Sequence, residues 1–238
     1  MGRVAMQVIY DSFLAGARAA TGLAVIIDVF RAFSCTPLLF SLGIEECMLV
    51  ATPQEAFGLK KERKDVVLIG ECGGIPIEGF DLGNSPSEIR RQESAFFDGR
   101  TVVQRTSSGV QGALAAMGSA AEVLVAGYTV ARATADYILS KHPALVSLVA
   151  MGWDLKERAP EDEGCARYIA HLLDAGDYDH NKTLSEIIAN ETAQRFLRAD
   201  DPHFPAEDTI LCLQRDVYDF ALRVERVQEH VLVKKTMI

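Results

Sequence analysis

The sequence predicts an α/β fold, three layers α/β/α around a central sheet that is mainly parallel or mixed. Two observations carry this expectation. Apolar runs of strand length, without polar alternation, recur from Leu23 to Val149. Such runs read as strands buried on both faces. Between them lie helical segments opened by Pro or closed by Gly, the crossovers that parallel strands require. Composition agrees: the chain has 238 residues, 49% hydrophobic and 24% charged, near the globular average, which excludes collagenous, disordered and disulfide-scaffold classes.

The elements follow in order. Leu23-Ala24-Val25-Ile26-Ile27 is a buried strand ending at Asp28, and a helix from about Ser34 to Leu42 stops at Gly43, a residue suited to a C-terminal stop. Cys47-Met48-Leu49-Val50 is the next strand, and Pro53-Gln54-Glu55-Ala56-Phe57 opens a helix with Pro in its first turn. Val66-Val67-Leu68-Ile69 ends at Gly70-Glu71, and a loop rich in Gly and Pro runs from Cys72 to Pro86. Within that loop Ser85, Pro86 and Glu88 have the spacing of a capping box. Thr101-Val102-Val103-Gln104, Val123-Leu124-Val125 and Leu145-Val146-Ser147-Leu148-Val149 complete the apolar strands, with helix signals resuming at Gly109. After Trp153 helical pattern dominates from Glu161 to Leu197, until Pro202 and Pro205 break it. Leu211-Cys212-Leu213 and Leu222–Val227 are expected as edge strands. Absence of a low-complexity linker favours one domain over residues 1–238, within which segments 25–50 and 102–125 share the outline of a duplicated βαβ unit.

Charge and cysteine content narrow the function classes. Lys plus Arg total 24 and Asp plus Glu total 33, a net charge of −9, so no general attraction for a phosphate backbone exists and no nucleic-acid partner is expected. The run Lys60-Lys61-Glu62-Arg63-Lys64 reads as a solvated helix end. Five scattered cysteines lack Cys-x-x-Cys spacing, which suits reduced thiols rather than zinc or a redox pair. No apolar stretch is long enough to span a membrane, and the stretch Met1–Gln7 shows neither signal-peptide nor myristoylation layout. A cytoplasmic enzyme is expected, with a homo-oligomer left open.

In open α/β sheets ligands bind beyond the carboxyl ends of the strands. Those positions hold Asp28 and Arg31, then Glu71, then Arg105-Thr106-Ser107-Ser108-Gly109. Strand-end carboxylates make a hard-oxygen site suited to Mg²⁺, so Asp28 and Glu71, joined by Asp81 or Asp162, are the expected ligands, with water completing the shell. The alternative for Asp28 is a salt bridge to Arg31. Thr106, Ser107, Ser108 and Gly109 open an apolar helix, whose N–H groups and dipole suit an anion. Asn84 and Ser85 add hydrogen-bonding groups. All five histidines avoid the strand ends, and familiar phosphatase loops are missing.

Four blocks, Asp28-Val29-Phe30-Arg31-Ala32, Gly70-Glu71-Cys72-Gly73-Gly74, Gly79-Phe80-Asp81-Leu82-Gly83-Asn84-Ser85-Pro86 and Thr106-Ser107-Ser108-Gly109, resemble the 2-phosphosulfolactate phosphatase family in content, order and spacing. Weaker similarity extends through Gly152-Trp153, Glu161-Asp162 and Arg215-Asp216, covering most of the chain. The resemblance implies Mg²⁺-dependent hydrolysis of a phosphate monoester on a sulfonated lactate, a step towards coenzyme M. One departure stands in the turn, which in the family usually reads Thr-Thr-Asn-Gly-Thr and here carries Ser107, Ser108 and Val110. From the chemistry of the residues, the expected mechanism has Arg31 and Arg105 clamping phosphate and a second acidic group, the Thr106–Gly109 turn donating to phosphoryl oxygens, and Asp28 or Glu71 orienting a water. Two alternatives stay open: a phosphatase for another small phospho-acid, and a non-catalytic anion-binding protein.

Overall fold

A computed structural model of the chain describes residues 6–238; residues 1–5, part of the N-terminal stretch read above for leader layout, lie outside them. From the N-terminal side the elements are β1 (Gln7–Ser12), α1 (Phe13–Ala19), β2 (Leu23–Ile27), α2 (Ala32–Ser41), β3 (Glu46–Leu49), α3 (Pro53–Glu62), β4 (Val66–Cys72), β5 (Ile75–Pro76) and α4 (Pro86–Arg90). Then come β6 (Thr101–Arg105), α5 (Gly109–Ala116), β7 (Glu122–Ala126), α6 (Ala131–Lys141), β8 (Leu145–Ala150), α7 (Pro160–Leu172), α8 (His180–Ala189), α9 (Glu191–Leu197), α10 (Ala206–Cys212), β9 (Phe220–Val227) and β10 (His230–Met237).

Local chemistry accounts for the boundaries. Thr52 caps α3 by accepting from the Glu55 N–H, while the Glu55 carboxylate takes the Ala51 N–H and the Thr52 hydroxyl, with Pro53 in the first turn. Ser85 caps α4 in the same way, but Glu88 reaches back to the Gly83 N–H, so only half of the expected box forms.

All the strands join one sheet in the order β1-β8-β2-β7-β9-β10-β3-β6-β4-β5. The α/β class is therefore as expected, and the sheet is mixed. Strands β1, β8, β2 and β7 run parallel, as do β3, β6 and β4. Between the two runs lies the antiparallel hairpin β9–β10. Three successive reversals make the two parallel runs point in opposite directions. Reading the order backwards exchanges β2 with β6, β3 with β7, β4 with β8 and β9 with β10, so segments 25–50 and 102–125 each cross from one run to the other.

Two expectations are corrected. Leu211 and Cys212 belong to α10, because Pro205 sets up a helix start and one face of the turn is buried against α4 and α9. Leu222–Val227 is a strand, but a central one: it is flanked by β7 and β10, and Leu222 is fully buried. The N-terminal run around Val8, left unassigned above, forms the actual edge strand β1.

Every residue of β2 is buried, which requires cover on both faces of the sheet. Helices α5 and α7 pack against it, and α1 against α5 and the neighbouring β8. A smaller apolar cluster of Met48, Val50, Ala56, Val66, Leu68, Val103 and Leu232 lies under α3.

Candidate active site

Strands β4 and β6 are paired neighbours with Gly70 opposite Arg105, so their carboxyl ends deliver Glu71 and the Ser107 turn side by side. Asp28 arrives differently. Its strand β2 is separated from β6 by β7, β9, β10 and β3, which in a flat sheet amounts to about 24 Å. Yet the Gly109 N–H donates to Asp28 Oδ2 at 2.7 Å. The contact is therefore made by the segments that follow β2 and β6 and not by neighbouring strand ends. Gly109 permits the contact, since a Cβ there would stand 2.6 Å from Asp28 Oδ2 and 2.9 Å from the Ala32 Cβ.

One pocket is lined by Asp28, Arg31, Glu71, Asn84, Ser107 and Ser108, together with Phe30, Gly73, Gly74 and the Gly152-Trp153-Asp154 segment. Six of the expected residues therefore meet. Asp28 accepts from the Ala32 and Gly109 N–H groups, and no Asp28–Arg31 salt bridge forms. Glu71 Oε1 accepts from the Ser107 N–H at 2.6 Å, and Oε2 from the Ser107 hydroxyl at 3.0 Å and the Gly74 N–H at 2.7 Å. The N-terminal end of α5 thus neutralises two carboxylates, and the Ser107 and Gly109 N–H groups expected for the phosphate are already engaged. The Thr106 hydroxyl accepts from the Val110 N–H in the first turn of α5. Ser108 lines the pocket, and its hydroxyl makes no hydrogen bond among the described residues.

Burial pushes the Asp28 carboxyl up to about 7, with the nearby Glu71 charge adding to it against the Ala32 and Gly109 hydrogen bonds. Behind it stand two more buried acids. Asp162 accepts from the Val29 N–H at 2.7 Å and the Gly152 N–H at 2.9 Å, tying the loops after β2 and β8 together. Burial raises its pKa well above the ordinary carboxylate range. Glu161 is also pushed by burial to about 7, and its Oε2 has no hydrogen-bond partner.

Arg31 is held on several sides. Its Nη1 donates to Asp208 Oδ2 at 3.0 Å and to the His203 carbonyl at 2.9 Å, and Nη2 to the Gly74 carbonyl at 2.9 Å. Rings of Phe196 and Phe204 lie 5.3 and 5.5 Å from its guanidinium carbon. Asp208, fully buried, also accepts from the Ser85 hydroxyl and the Ser87 N–H. Ser85 is therefore occupied by Asp208 and by capping. Arg105 flanks the pocket, donating to the Glu71 carbonyl at 2.6 Å and Cys72 Sγ at 2.8 Å. Asp81 is elsewhere: it accepts from the Leu68 N–H and pairs with Lys60. Asp162 does not line the pocket.

Asp208, Phe196 and Phe204 were not singled out from the sequence, and Trp153 entered only as part of the Gly152-Trp153 similarity. Asp208 lies 177 residues from Arg31. No local signal connects them.

Donor chemistry decides whether Mg²⁺ fits. Among the described residues no cluster of three or more His, Cys, Asp or Glu side chains is arranged to hold a metal. Two carboxylates on one pocket wall, beside Asn84 and two serines, match the way Mg²⁺ is usually held, by one or two carboxylates with water and substrate oxygens. Mutual repulsion of Asp28 and Glu71 is relieved by a cation between them. The residues fit.

A model of the family described as 2-phosphosulpholactate phosphatase matches residues 13–226. The chain is 30% identical over 223 residues to a probable 2-phosphosulfolactate phosphatase of Bacillus subtilis, covering 92% of this chain and 94% of that protein. A protein of the same description from Deinococcus radiodurans is 33% identical over 156 residues, 66% of this chain and 64% of the relative. One from Carboxydothermus hydrogenoformans is 37% identical over 150 residues, 63% and 59% of the two chains.

Proposed function

The chain belongs to the 2-phosphosulpholactate phosphatase family, an enzyme family of phosphoric monoester hydrolases, and from that premise we propose that it cleaves 2-phosphosulfolactate to sulfolactate and phosphate with Mg²⁺ bound. The observation that carries this reading is the meeting of Asp28, Glu71 and the Ser107-Ser108 turn in one pocket.

Asp28 and Glu71 would hold the Mg²⁺, which when bound neutralises phosphoryl oxygens and makes a water more acidic. The Ser108 hydroxyl, uncommitted in the pocket, donates to a phosphoryl oxygen. Arg31 contributes the N–H groups that Asp208, His203 and Gly74 leave open, and its fixed position removes the cost of organising a donor during reaction. Asp28 or Glu71 orients the attacking water in line with the departing alkoxide. Asp162 keeps the Asp28 loop in place through the Val29 N–H.

A serine nucleophile is disfavoured because no histidine lines the pocket to activate one. Single-turnover hydrolysis in ¹⁸O-labelled water tests the reading. Label in the first phosphate released is expected; unlabelled phosphate with labelled alcohol would mean C–O cleavage and refute it. Full Mg²⁺-dependent activity in both Asp28→Asn and Glu71→Gln would refute the metal assignment.

A further inference from the structure

The substrate proposed above carries anionic groups besides its phosphate, and the arginines already placed have little left for them. Arg31 spends N–H groups on Asp208, His203 and Gly74. Arg105 spends its own on the Ala51 and Glu71 carbonyls and on Cys72 Sγ. A third guanidinium stands nearby. Arg195, in α9, is half-buried, with its guanidinium carbon 5.0 Å from the Trp153 ring centroid and 5.2 Å from that of Phe204. It forms no salt bridge and no side-chain hydrogen bond among the described residues.

That aromatic shelf borders the pocket. Trp153 lines it beside Asp28 and Glu71, and Phe204 carries the Arg31 guanidinium as well as that of Arg195. Gly74, another lining residue, sits close beneath: a Cβ there would stand 2.7 Å from Phe204 and 3.0 Å from Trp153. Taking a guanidinium partly out of water without a hydrogen-bonded anion costs free energy, while its planar fork matches a sulfonate or carboxylate.

We propose that Arg195 on the Trp153–Phe204 shelf is a specificity residue that binds the substrate's second anionic group. It selects phosphate esters of small acids over esters with neutral tails. The proposal rests on the hydrolase reading of the pocket, and its test separates the two. Phosphate release from 2-phosphosulfolactate and from glycerol 2-phosphate is compared in wild type, Arg195→Gln and Arg195→Lys.

Arg195→Gln is expected to lower kcat/KM at least tenfold more for the acid-tailed ester, chiefly through KM, and Arg195→Lys to recover part of the loss. Equal losses on the two esters, or none on the acid-tailed one, would overturn it. If Arg195→Gln does not fold, the same comparison between wild type and Arg195→Lys decides. If wild type releases phosphate from neither ester, the hydrolase reading fails, and calorimetry with sulfolactate itself decides the role of Arg195. Binding weakened tenfold or more by Arg195→Gln then supports it; equal binding, or none to wild type, overturns it.

Discussion

Arg31 and Asp28 illustrate how much of the site depends on single side chains held away from water. Loss of one charged donor to a transition state costs about 2–4 kcal/mol, so Arg31→Ala should lower kcat/KM by roughly two orders of magnitude at ~1.4 kcal/mol per tenfold. Asp81→Asn, which alters a group bonded to Leu68 and Lys60 outside the pocket, should leave phosphate release within about threefold of wild type, since surface ion pairs contribute little. Asp28 adds a pH signature. Its folded-state pKa of about 7 exceeds the ordinary value of 3.8. Between those values the folded chain binds a proton that the unfolded chain has released, so its stability falls as pH rises from about 4 to about 7. Glu161, also near 7 through burial, has the same sign. In EDTA, denaturant midpoints should therefore be lower at pH 8 than at pH 5 by an amount that Asp28→Asn reduces, and Mg²⁺ should stabilise more at pH 8. A midpoint independent of the Asp28 substitution would contradict this.

Among the elements, the loop–helix junctions after β2 and β6 and the short helix α10 have the largest leverage. Gly109 lets α5 start against Asp28. Gly109→Ala forces that contact apart at a cost of about 1–3 kcal/mol, typical of overpacking, and should lower activity far more than a helix-surface Gly58→Ala, where a Cβ meets nothing within 4 Å. Helix α10 supplies Asp208 to Arg31. Removing one partner of a buried ion pair leaves the other charge uncompensated, so Asp208→Ala should cost about 3–5 kcal/mol, measurable by urea unfolding. The starts of α3 and α4 were legible because Pro53 and the Ser85-Pro86 pair act within one turn. Strand β1 and the position of β9 were not, because an apolar run carries no mark of which strands will flank it.

At the scale of the molecule, the hairpin β9–β10 joins two parallel runs that point in opposite directions. Each run alone would present β7 or β3 as an open edge with unpaired N–H and C=O groups. Truncation before Phe220 should therefore abolish cooperative unfolding and yield aggregating protein, and the β9 and β10 amides should exchange among the slowest in the chain by hydrogen exchange. Rapid exchange there, with the remaining strands protected, would show that the two runs hold together without the hairpin.

By itself the sequence determined the α/β class, most strands and helices, and the acids and hydroxyls at the strand ends, because hydrophobic period, caps and glycine stops operate over a few residues. Only the tertiary structure decided which of them share a pocket. Asp28 meets Gly109 although four strands lie between β2 and β6, and Arg31 meets Asp208 from the far end of the chain. Asp81 turns instead to Lys60. Strand order and curvature are set by the packing of all the strands at once, and no local spacing encodes them.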